Sequence, residues 1–265
     1  DELLYNYVPD TFSSESDIAL ASYFGTLDLD YDGRYGLSAV VRRDITSRFP
    51  KNSAGTFWSL GGRWNIDNEE FMSDVNWVNS LKLRASYGIV GNQNVGSRYQ
   101  GLQTISSNPS YQLAAGYGLP QLVDENIKWE TTAKLNIGVG FSLFESRLSG
   151  ELDFYREVTS DLFSTNPVSA ATTGFSSVTT NVGELSNQGV DLQLSYDILR
   201  KSSTNPWAIS VNAQGNYNKN NVESLSDGTE FIGNTLRTAV GRPLRSWFEP
   251  RWAGVNPANG EPLYL

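Results

Sequence analysis

Tyr23-Phe24-Gly25-Thr26-Leu27-Asp28-Leu29-Asp30-Tyr31-Asp32-Gly33-Arg34-Tyr35-Gly36-Leu37-Ser38-Ala39-Val40-Val41-Arg42 is the stretch on which the fold is decided. Tyr23, Gly25, Leu27, Leu29 and Tyr31 share one parity, and Thr26, Asp28 and Asp30 the other, with Phe24 the exception. Past Asp32-Gly33, the positions Tyr35, Leu37, Ala39 and Val41 alternate with Arg34, Gly36, Ser38 and Arg42. Successive side chains of a strand point to opposite faces, whereas the apolar residues of a helix recur at three and four. An Asp-Gly pair between two such runs has the chemistry of a tight hairpin turn. The stretch reads as a hairpin with one greasy and one wet face.

Working outward, the same period recurs. Trp58, Leu60, Gly62, Trp64 and Ile66 oppose Ser59, Gly61, Arg63 and Asn65; Leu81, Leu83, Ala85, Tyr87 and Ile89 oppose Lys82, Arg84, Ser86 and Gly88. Equivalent alternation runs through 133–141, 148–155, 190–197 and 207–218, and a weaker ninth strand is predicted through 247–255. The one helical pattern is short, at 68–79, where Asn68 would cap a turn or two carrying Phe71, Met72 and Val75, with Glu69 and Glu70 beside the helix start. The connections alternate between short (Asp32-Gly33, Glu145-Ser146 and 201–206) and longer (44–54, 91–130, 160–188 and 219 onward).

Composition narrows the chemistry. The 265 residues include no cysteine and no histidine, which removes disulfide scaffolds, thiol catalysis, Cys/His zinc sites and histidine-dependent triads. Lys+Arg 20 against Asp+Glu 29 gives a formal charge of −9, which argues against nucleic acid as a partner. There is no run of ~18 apolar residues for a membrane helix, but a β-barrel crosses a membrane with alternating strands and a modest average hydropathy. The chain begins at Asp1 without a signal-peptide pattern and stops soon after the turn-like Asn256-Pro257-Ala258-Asn259-Gly260; the expectation is a segment of a longer polypeptide whose last hairpin lacks its partner strand.

Alternation alone fits a soluble sandwich as well as a membrane barrel. Three features favour the barrel. The strands approach the ~9–11 residues of a tilted membrane strand and exceed the ~5–6 of a globular one. Short turns at one end and long loops at the other match outer-membrane barrels. Aromatics sit toward the ends of the apolar stripes: Tyr31, Tyr35, Trp58, Trp64, Tyr87, Tyr196, Trp207 and Tyr217 are the expected membrane-interface rings. The opposite face, with Asn212, Gln214, Asn216 and Asn218 in succession or Lys82 with Arg84, is too polar for a dry core and must face water or a hydrated lumen.

The residues also carry a resemblance. Ser22-Tyr23-Phe24-Gly25 through Asp44, Leu81-Lys82-Leu83-Arg84-Ala85-Ser86-Tyr87-Gly88 with Gly91-Asn92-Gln93, Lys128-Trp129-Glu130-Thr131-Thr132, Asp153-Phe154-Tyr155, Asn181-Val182-Gly183-Glu184, Asn187-Gln188-Gly189-Val190, Val240-Gly241-Arg242-Pro243 and Arg251-Trp252-Ala253-Gly254-Val255 resemble, in order, the barrel of SusC-like TonB-dependent outer-membrane transporters. The resemblance implies an all-β, antiparallel up-and-down transmembrane barrel, of which residues 1–265 supply about eight or nine of about 22 strands, with the plug domain and the barrel ends absent. It further implies nutrient import of glycans or peptides, a SusD-like surface lipoprotein and TonB as partners, outer-membrane lipid around the wall, and neither cofactor nor covalent chemistry.

Other motifs are weaker. Asp28-Leu29-Asp30-Tyr31-Asp32-Gly33 opens like a calcium loop, but its twelfth position is Ala39 where a bidentate Glu belongs. Gly138-Val139-Gly140 lacks the rest of a dinucleotide fingerprint. No pair of acids stands out for glycoside hydrolysis. Tyr99, Tyr111, Tyr117 and Trp129, set among polar loop residues, are candidates for stacking on substrate or packing against a partner, or for pinning the loop to its neighbours. The rival functional class is a secreted, soluble β-rich carbohydrate-binding module.

Overall fold

Eight long strands form one antiparallel sheet in simple sequential order: β1 (Leu20–Tyr31), β2 (Tyr35–Thr46), β3 (Ala54–Asn65), β4 (Val78–Asn92), β5 (Glu130–Leu143), β6 (Leu148–Ser160), β7 (Glu184–Leu199) and β8 (Ile209–Ser224). The computed structural model describes residues 17–265 apart from 112–113, 204, 226–229 and 233–234, together with no side chains at 107–116 or 231. Each strand pairs with its sequence neighbour in this series, as in an up-and-down barrel, and each is 12 to 16 residues long. The first hairpin turns where expected: Asp32 at φ 54° and Gly33 at φ 63° adopt the left-handed conformations of a primed turn, closed by Arg34 N donating to Tyr31 O at 3.0 Å.

Register decides the faces. Tyr31 pairs with Tyr35, Tyr35 with Trp64, and Trp64 with Leu83; Leu29 pairs with Leu37, Leu37 with Gly62, Gly62 with Ala85, and Ala85 with Ile137. Direct cross-strand partners share a face, so the greasy parity of every strand merges into one continuous apolar surface. That surface is exposed: Leu27, Leu60, Ile137, Leu152, Val190 and Val211 all lie open. Among the described residues the buried apolar side chains are only Phe49, Phe57, Ile127, Trp129, Val222 and Ala239, none of which belongs to this surface. A soluble sandwich would have to bury it; a barrel wall lays it against lipid.

Several expectations need correcting. The ninth strand does not join the sheet: Ser246–Trp247 pairs with Leu236–Thr238, and Trp252–Val255 pairs with Pro262–Tyr264. The last hairpin therefore has its partner strand, and Trp252 meets Tyr264 edge-on at 6.0 Å. In place of a helix over 68–79 there are two 3-10 turns, Ile66–Asn68 and Glu70–Met72, neither with a side-chain cap, and β4 begins at Val78. Asn68 instead donates from Nδ2 to Gly33 O at 2.9 Å, beside Asn65, which donates to the same oxygen at 2.6 Å. Both donations turn these amides toward the Asp32-Gly33 turn, and neither side chain caps a helix. The connection expected over 44–54 spans only 47–53, because β2 runs on to Thr46.

The turn end is knitted together. Phe144, Glu145 and Ser146 have φ of 57°, 57° and 59°, a costly run for residues with a Cβ. Arg200 donates to Glu145 O at 2.5 Å and to Ser146 O, and pairs with Asp197 at 2.9 Å; Asn79 Oδ1 accepts from Ser146 N at 2.7 Å.

Candidate functional site

The wet face of the sheet carries an ordered row of charge. Asp30, Gly36, Arg63, Arg84, Gly138, Asp153, Asp191 and Asn216 are successive cross-strand partners from β1 to β8. Arg84 donates to Asp153 at 2.9 Å and to Glu151 at 3.1 Å. Arg63 pairs with Asp30, and Asn216 donates to Asp191. Gly138 lies between Arg84 and Asp153, and a Cβ there would sit 2.0 Å from Asp153 Oδ1; a Cβ on Gly36 would meet the Arg63 guanidinium at 3.2 Å. The glycines clear the path by which each arginine reaches a partner two strands away. They had no evident role in the sequence, and a glycine of the wet parity facing arginine is the signal that would have found them.

A concave space of about 690 Å³ lies over this row, bordered by Asp28, Ser38, Arg84, Asn136, Asp191 and Gln193 among others. Carboxylates outnumber guanidiniums here, and the ion pairs are half exposed, so the surface is hydrated and electronegative. Asp30 and Asp32 of the calcium-like motif are engaged otherwise: Asp30 accepts from Gly33 N at 2.9 Å and pairs with Arg63, and Asp32 pairs with Arg34 at 3.1 Å.

At the loop end the three connections between strands form one unit. The β3–β4 pairing stops at Trp58 and Ile89 while β4–β5 continues to Asn92 and Glu130. The Phe57 ring fills the wedge between the diverging strands: a Cβ on Gly55 or Gly91 would overlap it at 2.4 and 2.0 Å. Trp129 packs edge-on against Phe57 at 5.3 Å and Phe49 at 5.8 Å, and its Nε1 donates to Ser53 O at 3.0 Å. Asn181 binds both Lys128 and Asp161 backbone oxygens, at 2.9 and 2.8 Å, which ties 93–129 to 161–183. Lys51 pairs with Glu125 at 2.7 Å and holds that carboxyl below its usual range.

The candidate loop residues separate accordingly. Trp129 is only 6 % exposed, so it is a core ring of the mouth and no surface platform; its indole N–H is already satisfied by the 47–53 turn. Tyr99 and Tyr117 are exposed, Tyr117 at 80 %. Tyr111 ends the strand Ser106–Tyr111, and its side chain lies outside the described residues. Phe49 and Ile127, both fully buried, are not among the candidate site residues that the sequence offers.

The candidate interface aromatics all lie on or beside the apolar face. Tyr31 stacks on Tyr35 and Tyr35 on Trp64, each at 6.5 Å, at the turn end. Glu69 accepts from Tyr35 at 2.5 Å and from Trp64 Nε1 at 2.9 Å, so it orients these rings and does not serve a helix dipole. Trp58 meets Tyr87 edge-on at 5.7 Å toward the loop end. Tyr196 pairs with Val211 near the turn between β7 and β8, Trp207 precedes β8, and Tyr217 lies midway along β8.

Comparison with known proteins accords with this geometry. Residues 2–258 match the family described as TonB dependent receptor-like, beta-barrel. The chain is 34% identical over 238 residues to a TonB-dependent receptor of Formosa agariphila, covering 89% of this chain and 22% of that protein. It is 35% identical over 219 residues to the TonB-dependent receptor SusC of Bacteroides thetaiotaomicron, covering 80% of this chain and 21% of SusC. The RagAB peptide transporter structure superposes with a TM-score of 0.85 at 30% identity, over 93% of this chain and 27% of that one. The chain thus spans about a fifth to a quarter of the length of the proteins it matches. It belongs to the TonB-dependent receptor β-barrel family, and its eight strands are a SusC-like stretch of wall in a bacterial outer membrane.

Proposed function

We propose that this stretch forms wall, lumen lining and mouth loops of a TonB-dependent importer of polar oligomers, glycans or peptides. Residues 1–265 act as one partial barrel unit, the plug is supplied by other parts of the transporter, and a SusD-like lipoprotein covers the mouth. The observation that carries the reading is the pairing of an apolar outer surface with a concave, charged inner one over eight sequential strands. A hydrated polar wall passes solutes that keep their own hydration, and the RagAB peptide transporter has this fold. Tyr31, Tyr35 and Trp64 form the girdle at the turn end, Trp58 and Tyr87 part of the girdle at the loop end, and Tyr99, Tyr111 and Tyr117 meet cargo or lid. Covalent chemistry has no part in the reading.

Deleting the gene of the full transporter should abolish uptake of its glycan or peptide cargo, and restoration should require both the gene and an energised TonB system. Affinity purification of the transporter should bring down a surface lipoprotein. Uptake that persists without TonB would overturn the energised-import reading.

A further inference from the structure

The outer face has one feature that a featureless lipid-facing wall does not need. Gly62 and Ala85 are direct cross-strand partners on β3 and β4, so two small residues lie side by side. Large ones frame them: Leu37 and Ile137 to either side, Trp64 and Leu83 in the next row toward the turns, Leu60 and Tyr87 in the row beyond. The result is an apolar pit of about 650 Å³, and its walls include Leu29, Tyr31 and Tyr35. Its floor is open. A Cβ built on Gly62 meets no heavy atom within 4 Å, whereas one on Gly150, on the same face, would meet Leu194 and Phe141 at 2.7 and 2.8 Å. Gly150 is covered by neighbouring side chains; Gly62, like Gly215 on the edge strand of the same face, is not.

We propose that the pit is a binding site for one acyl chain of a zwitterionic, ammonium-bearing phospholipid in the leaflet next to the short turns. Three observations select that occupant. The pit is continuous with the membrane-facing surface of an outer-membrane barrel, so an acyl chain is the apolar group presented to it. Its floor at Gly62 lies two residues from Trp64, about 7 Å along the strand at ~3.3 Å per residue, the depth of the first methylenes below the head group. The turn beside its Tyr31, Tyr35 and Trp64 wall carries both signs of charge: Arg34 pairs with Asp32 at 3.1 Å and lies 3.6 Å from Glu69, while 65 % of the Asp32 side chain is exposed. Asp32 meets the ammonium and Arg34 the phosphate; a purely anionic head group would face Asp32 and Glu69 with no cation of its own. The stacked Tyr31, Tyr35 and Trp64, held from below by Glu69, give the pit a rigid wall.

Native mass spectrometry of the full transporter released from mild detergent tests the site. Wild type should retain a phosphatidylethanolamine molecule. G62L and A85L, which fill the pit, should each lower its occupancy by about an order of magnitude while heat-modifiable gel mobility stays that of the folded barrel. Added phosphatidylglycerol should not replace it, and D32N should weaken the preference. Unchanged retention in a folded G62L, equal retention of phosphatidylglycerol, or a wild-type protein that carries only detergent would each overturn the proposal.

Discussion

Glu69 shows how much one side chain settles at the turn end. It lies outside the strands, in the connection from β3 to β4, and is the common acceptor for Tyr35 and Trp64. These two hydrogen bonds, the Tyr35 one first, hold its carboxyl below the ordinary value of 4.5. A carboxyl with a lowered folded-state pKa contributes stability that is fully present above 4.5 and is lost as pH falls through the lowered value. The environment of Trp64, followed by indole fluorescence of the folded transporter, should therefore hold steady from neutral pH to the usual carboxylate range and change below it. E69Q should remove that acid step; an unaltered acid limb in E69Q would place the titration elsewhere. In the sequence, Glu69 is one of two acids before an apolar run and reads as a helix start; its partner Tyr35 lies 34 residues away and is brought to it by register.

At the scale of the element, each strand has two faces with opposite solvents. Ile137 and Asn136 are neighbours at the middle of β5, yet Ile137 lies on the apolar outer face and Asn136 borders the inner hollow. I137R should cost about 2–4 kcal/mol of folding stability in a bilayer, the range for arginine on the lipid face near the midplane, and N136R far less. Denaturant titration of the full barrel refolded into vesicles measures both, and equal effects would contradict the assignment of faces. This alternation was legible from residue types, because hydrophobicity and period are local properties of a strand. The mouth was not legible. Phe49, Ile127 and Trp129 come from two connections, and nothing in their spacing shows that they close over Phe57; only the divergence of β3 from β4 creates the wedge they fill.

At the scale of the whole molecule, β1 and β8 each pair with a single neighbour among the described residues, and the apolar surface stays open. Unpaired edges and a continuous greasy face drive association in water. The 265 residues made alone without lipid or detergent should thus elute as large aggregates in size-exclusion chromatography. A stable, soluble monomer would restore the carbohydrate-binding module as the better reading. By itself the sequence determined the class: two-residue alternation with wet opposite to greasy, because both follow from residue chemistry along one strand. The tertiary structure alone decided which residues meet. Arg84 reaches Asp153 across 69 positions of chain through the gap left by Gly138, and Gly62 falls beside Ala85 to open the outer pit. Such meetings depend on strand register, and register is set by all the strands and turns acting together.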